Sequence, residues 1–245
     1  MKHTINHVLA ALLIASLISS SALAGITITG TRIIYPAAER EVTVRLNNRA
    51  DQPALVQAWI DDGDARQPLD KIEVPFVLLP PVSRVEAHKG QTLRMMYTGN
   101  NLPTTQESIF WLNVLDIPPT DKTLAGKNQL QMAMRSRIKI FFRPRSLSED
   151  GAKQAAAGLI WRKGSKSDRL TATNPSPYFV NVSRVTADAL SGRQIATQRG
   201  EMLAPGATEE FILHGGALTH IKPVIHYQYL DDYGAARSVD SQLTQ

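Results

Sequence analysis

The chain has no cysteine, so no disulfide can brace it and hydrophobic cores must hold it together. It contains no G-x-S-x-G, no glycine-rich phosphate loop and no H-E-x-x-H, which removes the commonest serine hydrolase, nucleotide-binding and zinc protease signatures. Beyond the first two dozen residues the histidines are His88, His214, His220 and His226, at spacings that make no compact metal motif. After the N-terminal segment no stretch approaches the length of apolar sequence that a membrane-spanning helix needs. Helical periodicity is scarce. No cofactor or metal is expected. The run Asp61-Asp62-Gly63-Asp64 lacks the distal bidentate glutamate of a calcium loop and reads as a hairpin turn.

What is present begins with an export signal. Lys2 precedes an apolar run over residues 8–18, three serines, and Ala22-Leu23-Ala24. A positive start, a short apolar core and an A-x-A end read as a secretory signal peptide spanning residues 1–24. Cleavage there leaves 221 residues and lowers the formal charge from +5 to +4. That charge is only mildly basic, and an exported chain rarely meets nucleic acid, so it reads as local chemistry.

Strand signals fill the rest. Seven short strands with turn formers between them are expected at residues 26–28, 42–46, 55–60, 76–79, 92–97, 108–115 and 129–144. Over roughly 120 residues this spacing suggests an immunoglobulin-like β-sandwich. After Pro144 the composition turns polar and then alanine-rich, with at most a short helical turn near residues 155–160, which places the inter-domain link at about 146–157. A second set of strands is expected at 159–162, 170–173, 178–185, 194–198, 209–213 and 223–230, separated by Asn, Gly and Pro turns. The fold expectation is therefore all-β: two sandwiches, at 25–147 and 148–245, with a cleft between them.

Residues 129–144 read QLQMAMRSRIKIFFRP and have two unlike halves. Leu130, Met132 and Met134 alternate with polar residues at the strand period. Arg135, Arg137, Lys139 and Arg143 then interleave with Ile138, Ile140, Phe141 and Phe142. The three apolar residues either fill this chain's own core or meet a partner. Glu107, Asp231 and Asp232 read either as a catalytic carboxylate set or as salt-bridge partners, and Arg143 favours the latter.

The segment 136–144, SRIKIFFRP, resembles a signature of the periplasmic pilus-assembly chaperones, an immunoglobulin-like family. Supporting pieces are GTRIIY at 30–35, QAWI at 57–60, PPVSRVE at 80–86, ESIFWLN at 107–113 and IPP at 117–119. NPSPY at 174–178 and DYG at 232–234 continue the pattern in the second half. The resemblance covers nearly the whole mature chain. It implies a periplasmic chaperone that binds pilus or fimbrial subunits and passes them to an outer-membrane usher. In such chaperones the seventh strand of the first domain fills the gap in a subunit that lacks its own last strand, an established case of strand addition.

The roles carried over fall on particular residues. Leu130, Met132 and Met134 are the donated side chains, each contributing roughly 1.5–3 kcal/mol when buried. Arg32 and Lys139 grip the subunit's C-terminal carboxylate. Arg143 bridges Glu107 in the first domain and Asp232 in the second. Arg137 stands where many relatives have lysine, a difference expected to matter little for a solvated charge. Met134 and Lys139 are five apart, so a regular strand sets them on opposite faces. A bulge near Ser136, or pairing at a strand edge, would reconcile their roles. Self-association of the free protein to hide its apolar edge stays open. The rival readings are an exported structural or adhesive protein of two sandwiches, and a periplasmic hydrolase using Glu107 or Asp232.

Overall fold

In the computed structural model the described residues are 25–99, 102–120, 128, 130–197, 199–214 and 221–244. The signal segment, Gln129, Gln198 and His220 lie outside them. The first half comprises β1 (Ile26–Ile28), β2 (Arg32–Pro36), β3 (Val42–Asn48), β4 (Ala54–Asp61), β5 (Phe76–Leu79), β6 (Val82–Val85), β7 (Gly90–Tyr97), β8 (Ser108–Ile117) and β9 (Met134–Arg143). They form two sheets, ordered β1-β3-β7-β5 and β2-β9-β8-β4-β6. Alternation in each strand sends one face inward, and Leu46, Leu93, Met95, Leu112 and Ile140 are wholly buried between the sheets.

Two of these strands are additional to the seven expected. The chain changes sheets between β1, which pairs with β3, and β2, which runs parallel to β9. Gly30, at φ +93°, makes the break in a region that side chains other than glycine rarely enter. The short strand β6 pairs with β4. Asp61 to Asp64 is not a hairpin turn, because β4 and β5 lie in different sheets and the chain crosses over between them.

The second half begins with α1 (Glu149–Ala157), longer than the expected turn. It continues through β10 (Ile160–Lys163), β11 (Arg169–Thr173), β12 (Val180–Ala189), β13 (Gln194–Thr197), β14 (Glu201–Leu203), β15 (Thr208–His214), β16 (Ile221–Leu230) and β17 (Ala236–Thr244). Ser148 caps α1, its Oγ accepting from Gly151 N–H at 3.0 Å, and two acidic residues in the first turn suit the helix dipole. Ala155 and Ala156 of α1 pack into the second core around Trp161, and Tyr227 Oη donates to Ala156 O at 2.7 Å. β13 pairs with both β12 and β15, and β17 with both β16 and β10, so this sandwich is closed along both edges. β14 and β17 had no apolar alternation to announce them. Only Val239 and Leu243 of β17 pack on the core.

Candidate functional site: the inter-domain cleft and the open edge of β9

β9 positions most of the singled-out residues. It pairs with β8 in unbroken register from Met134↔Asp116 to Phe142↔Ser108. There is no bulge near Ser136, so Met134 shares the parity of the core residues Ile140 and Phe142, whereas Lys139 points to the opposite face with Phe141. On its other side β9 is covered by β2 only from Lys139 to Arg143. From Met134 to Ile138 it has a paired strand on one side alone among the described residues. That stretch is a sheet edge, with backbone donors and acceptors free to pair.

Leu130, Met132 and Met134 do not fill this chain's core. They are 87%, 63% and 63% exposed. The strand expected from residue 129 starts instead at Met134, because β8 ends at Ile117 and Pro118-Pro119 cannot continue the ladder. An exposed row of large apolar residues leading into an open edge is unusual for a chain that functions alone.

Where the open edge ends, β2 begins, and there Arg32 lies opposite Lys139 in the parallel register. Both side chains are partly buried. Arg32 Nη1 donates to Leu230 O at 3.0 Å, and its guanidinium lies 5.9 Å from the centre of the Phe141 ring. Lys139 Nζ donates to Asn181 Oδ1 at 2.6 Å. Neither cation forms an ion pair among the described residues. Burial pushes the Lys139 ammonium below the usual lysine value, and the neighbouring Arg32 adds to the effect. Burial likewise lowers Arg32, with Asp232 and Asp231 opposing. An anion placed here would relieve both cations.

Arg143 ends β9 on the buried side. Its Nε donates to Glu107 Oε1 at 2.8 Å, and Nη1 and Nη2 donate to the two carboxylate oxygens of Asp232 at 2.7 and 3.0 Å. Glu107 also accepts from Phe179 N–H at 2.8 Å, so it binds the second domain directly. Burial opposes the Arg143 charge, but Asp232 and Glu107 hold the guanidinium above its ordinary value. Local turns set the partners. Asp231 accepts from Tyr233 N–H and Ala235 N–H, which shapes the turn that presents Asp232. Gly234, at φ +81°, lets that turn approach Thr31, whose Oγ1 would lie 2.2 Å from an added Cβ. The buried amide of Asn174 holds the 174–178 turn by donating to Tyr178 O, Leu203 O and Ala204 O. A cleft of about 250 Å³ lies between the domains, lined by Arg32, Phe141, Arg143, Phe179 and Asn181 among others.

Each carboxylate of the rival hydrolase reading is already engaged: Glu107 and Asp232 by Arg143, Asp231 by Arg237 and two backbone N–H groups. Two residues gained importance only in three dimensions. Asn181 is one. Arg137 is the other, and it is no solvated charge. It grips the buried Asp61 with two nitrogens, donates to Gly63 O at 3.0 Å, and lies 4.7 Å from the Trp111 ring centre. Lysine could not make the same forked contact. The signal in the sequence was Asp61 at the end of an apolar strand, read there only as turn chemistry.

Comparison with known proteins gives the chain its family. One family model, "Pili and flagellar-assembly chaperone, PapD N-terminal domain", matches residues 25–148, and another, "Pili assembly chaperone PapD, C-terminal domain", matches residues 154–241. The chain is 40% identical over 230 residues to the chaperone protein FimB/FhaD of Bordetella pertussis, covering 92% of this chain and 91% of that one. Among solved structures it is similar to the CupB2 chaperone of Pseudomonas aeruginosa, with a TM-score of 0.75 and 37% identity over 89% of this chain and 100% of that one. It is also similar to a chain in the complex of Salmonella enterica SafA pilin with the SafB chaperone. There the TM-score is 0.73 and the identity 26%, covering 91% of this chain and 99% of that one.

Proposed function

The chain belongs to the PapD-like family of pilus-assembly chaperones, and on that premise we propose which of its residues grip a subunit and how. The protein is a fimbrial chaperone that binds pilus subunits and works with an outer-membrane usher, in a family of chaperones rather than of enzymes. In our reading it catalyses no reaction. Arg32 and Lys139 hold the C-terminal carboxylate of the subunit, while Leu130, Met132 and Met134 enter the subunit's incomplete core. Arg143, with Glu107 and Asp232, fixes the angle between the domains so that the cleft is formed before the subunit arrives.

The observation that supports this most is the open edge of β9 running away from the Arg32–Lys139 pair. A subunit strand added along Met134–Ile138 would have its end next to two cations that form no ion pair among the described residues. Lys139 and Met134 are five residues apart, roughly 17 Å along a strand. Anchoring the carboxylate therefore fixes which subunit residue meets Met134, and a slip of one would turn the apolar row outward. Opposite orientation of Met134 and Lys139 is no obstacle, because the partner pairs through the backbone edge between them. Two charge-assisted hydrogen bonds, at about 1.5–3 kcal/mol each, would add to the burial of three apolar side chains.

Export by a signal peptide cut after Ala24 is part of the same reading, and the matched family region starts at residue 25. A pull-down from periplasm tests all of it. Wild type should begin at Gly25 by N-terminal sequencing and carry incomplete immunoglobulin-like subunits. Arg32→Ala and Lys139→Ala should fold normally and lose most of that cargo. Folded variants that retain subunits as well as wild type would rule out the carboxylate anchor.

A further inference from the structure

The Arg32–Lys139 pair has a neighbour from the other domain whose chemistry is unfinished. Asn181 lies on β12 and is only 7% exposed. Its Oδ1 accepts from Lys139 Nζ at 2.6 Å. An ammonium has donors only, so the amide oxygen must face it and the NH2 group must point elsewhere. That NH2 is buried and has no hydrogen-bond partner among the described residues. Arg32 is in the same condition. Nη1 is spent on Leu230 O, while its buried Nε has no partner among the described residues. Both residues line the inter-domain cleft.

Three adjacent side chains thus offer donors, and two of them hold a buried N–H with nothing to receive it. Leaving such groups unpaired is costly, so the arrangement is completed by an acceptor that binds there. A neutral carbonyl would satisfy the N–H groups but leave two half-buried cations uncompensated. A carboxylate, which only accepts and is negative, answers both needs.

We propose that Asn181 is a third member of the subunit-anchoring group, donating through Nδ2 to the bound C-terminal carboxylate while its Oδ1 holds the Lys139 ammonium in place. The inference rests on the carboxylate anchor above. It adds that the second domain takes a direct part in recognising the chain end. The anchored carboxylate then touches β2 and β9 from one side and β12 from the other, so subunit binding ties the two domains together.

The test uses the full mature chaperone and a synthetic peptide of the last dozen or so residues of the subunit that copurifies with it. The peptide is made once with a free C-terminal carboxylate and once as the amide, and affinities are measured by fluorescence anisotropy. Wild type should prefer the free acid. Asn181→Ala should weaken binding of the free acid by about tenfold, the size of one charge-assisted hydrogen bond, and binding of the amide by less, because its carbonyl accepts only a neutral one, so the preference shrinks. Asn181→Asp keeps an acceptor for Lys139 but replaces the free donor with a negative charge, so it should abolish the preference or favour the amide. Asn181→Ala should unfold with a midpoint near wild type, and Asn181→Asp, which sets an anion beside the two cations, with a midpoint at or above it. If wild type itself does not distinguish acid from amide, the carboxylate anchor fails, and this inference with it. If wild type does distinguish them and folded Asn181→Ala and Asn181→Asp keep the full preference, the anchor stands and the role of Asn181 is overturned.

Discussion

Asp61 shows how much one buried charge can be constrained. It is 1% exposed and accepts from Arg137, from Asn113 Nδ2 at 2.6 Å and from Gly63 N–H at 2.8 Å. Burial opposes its ionisation, but these hydrogen bonds more than offset that and hold the carboxyl below its ordinary value of 3.8. A carboxyl depressed in the folded state binds fewer protons than in the unfolded chain. Its contribution is therefore complete above the ordinary value and is lost as pH falls through the depressed one. Asp61→Asn keeps the shape and strands Arg137, so it should cost on the order of 2 kcal/mol at pH 7, between an exposed and a fully buried pair. The gap between variant and wild type should begin to narrow as pH falls through the ordinary value of 3.8, where the unfolded chain's carboxyl takes up a proton, and should close below the depressed folded value. Urea unfolding at pH 7, 5 and 3 measures it, and a gap independent of pH would remove the electrostatic explanation. The sequence showed an aspartate after an apolar strand. It did not show Arg137, 76 positions away, arriving beside it through the β4–β8–β9 register.

At the scale of elements, α1 illustrates a local preference overruled by packing. Gly151 sits inside the helix, where alanine would ordinarily gain about 1 kcal/mol. Here an added Cβ would lie 2.1 Å from Tyr178 Oη, which accepts from Ser148 N–H at 2.9 Å. Displacing that ring costs about 1–3 kcal/mol for overpacking, plus about 1 for the lost hydrogen bond. Gly151→Ala should therefore lower Tm rather than raise it, and thermal unfolding by circular dichroism decides the sign. The glycine made the sequence look unsuited to a helix because its partner lies 27 positions on, in a turn shaped by Asn174. β9 carries the opposite lesson. Its alternation identified the strand and its two faces, yet where pairing begins was set by β8 and β2, which no local pattern in residues 129–144 records.

At the scale of the whole molecule, the Arg143 network joins the domains. Arg143 is 6% exposed and Glu107 3%, so this is a buried ionic cluster rather than a surface pair. Arg143→Met would strip the buried Glu107 carboxyl, which burial already pushes above its ordinary value, of its counter-ion and leave it the Phe179 N–H as partner. Breaking one side of such a cluster costs about 3–5 kcal/mol, against under about 1 for an exposed pair. Calorimetry should show a lower unfolding temperature and weaker coupling between the two domain transitions. Adding Glu107→Gln, which removes the stranded charge but keeps an acceptor for Phe179 N–H, should recover part of the loss. A loss under about 1 kcal/mol in the single variant would show that the domains are held by other contacts, such as the packing of Phe141 against Phe179.

The sequence by itself determined the all-β class, the two-sandwich division and the family. Those depend on period-2 alternation, turn residues and short motifs, all of them local along the chain. It also separated the apolar from the cationic half of residues 129–144, since that contrast lies in the residue types. Only the tertiary structure decided which charges are solvated and which are buried. That is why Arg137 turned from a surface cation into the partner of Asp61, and Asn181 from an unremarked strand residue into a neighbour of Lys139. It also decided that the edge of β9 is open from Met134 to Ile138, because an edge is defined by the strand that fails to cover it. Burial, register and the absence of a partner are relations between distant segments, and a single stretch of sequence does not contain them.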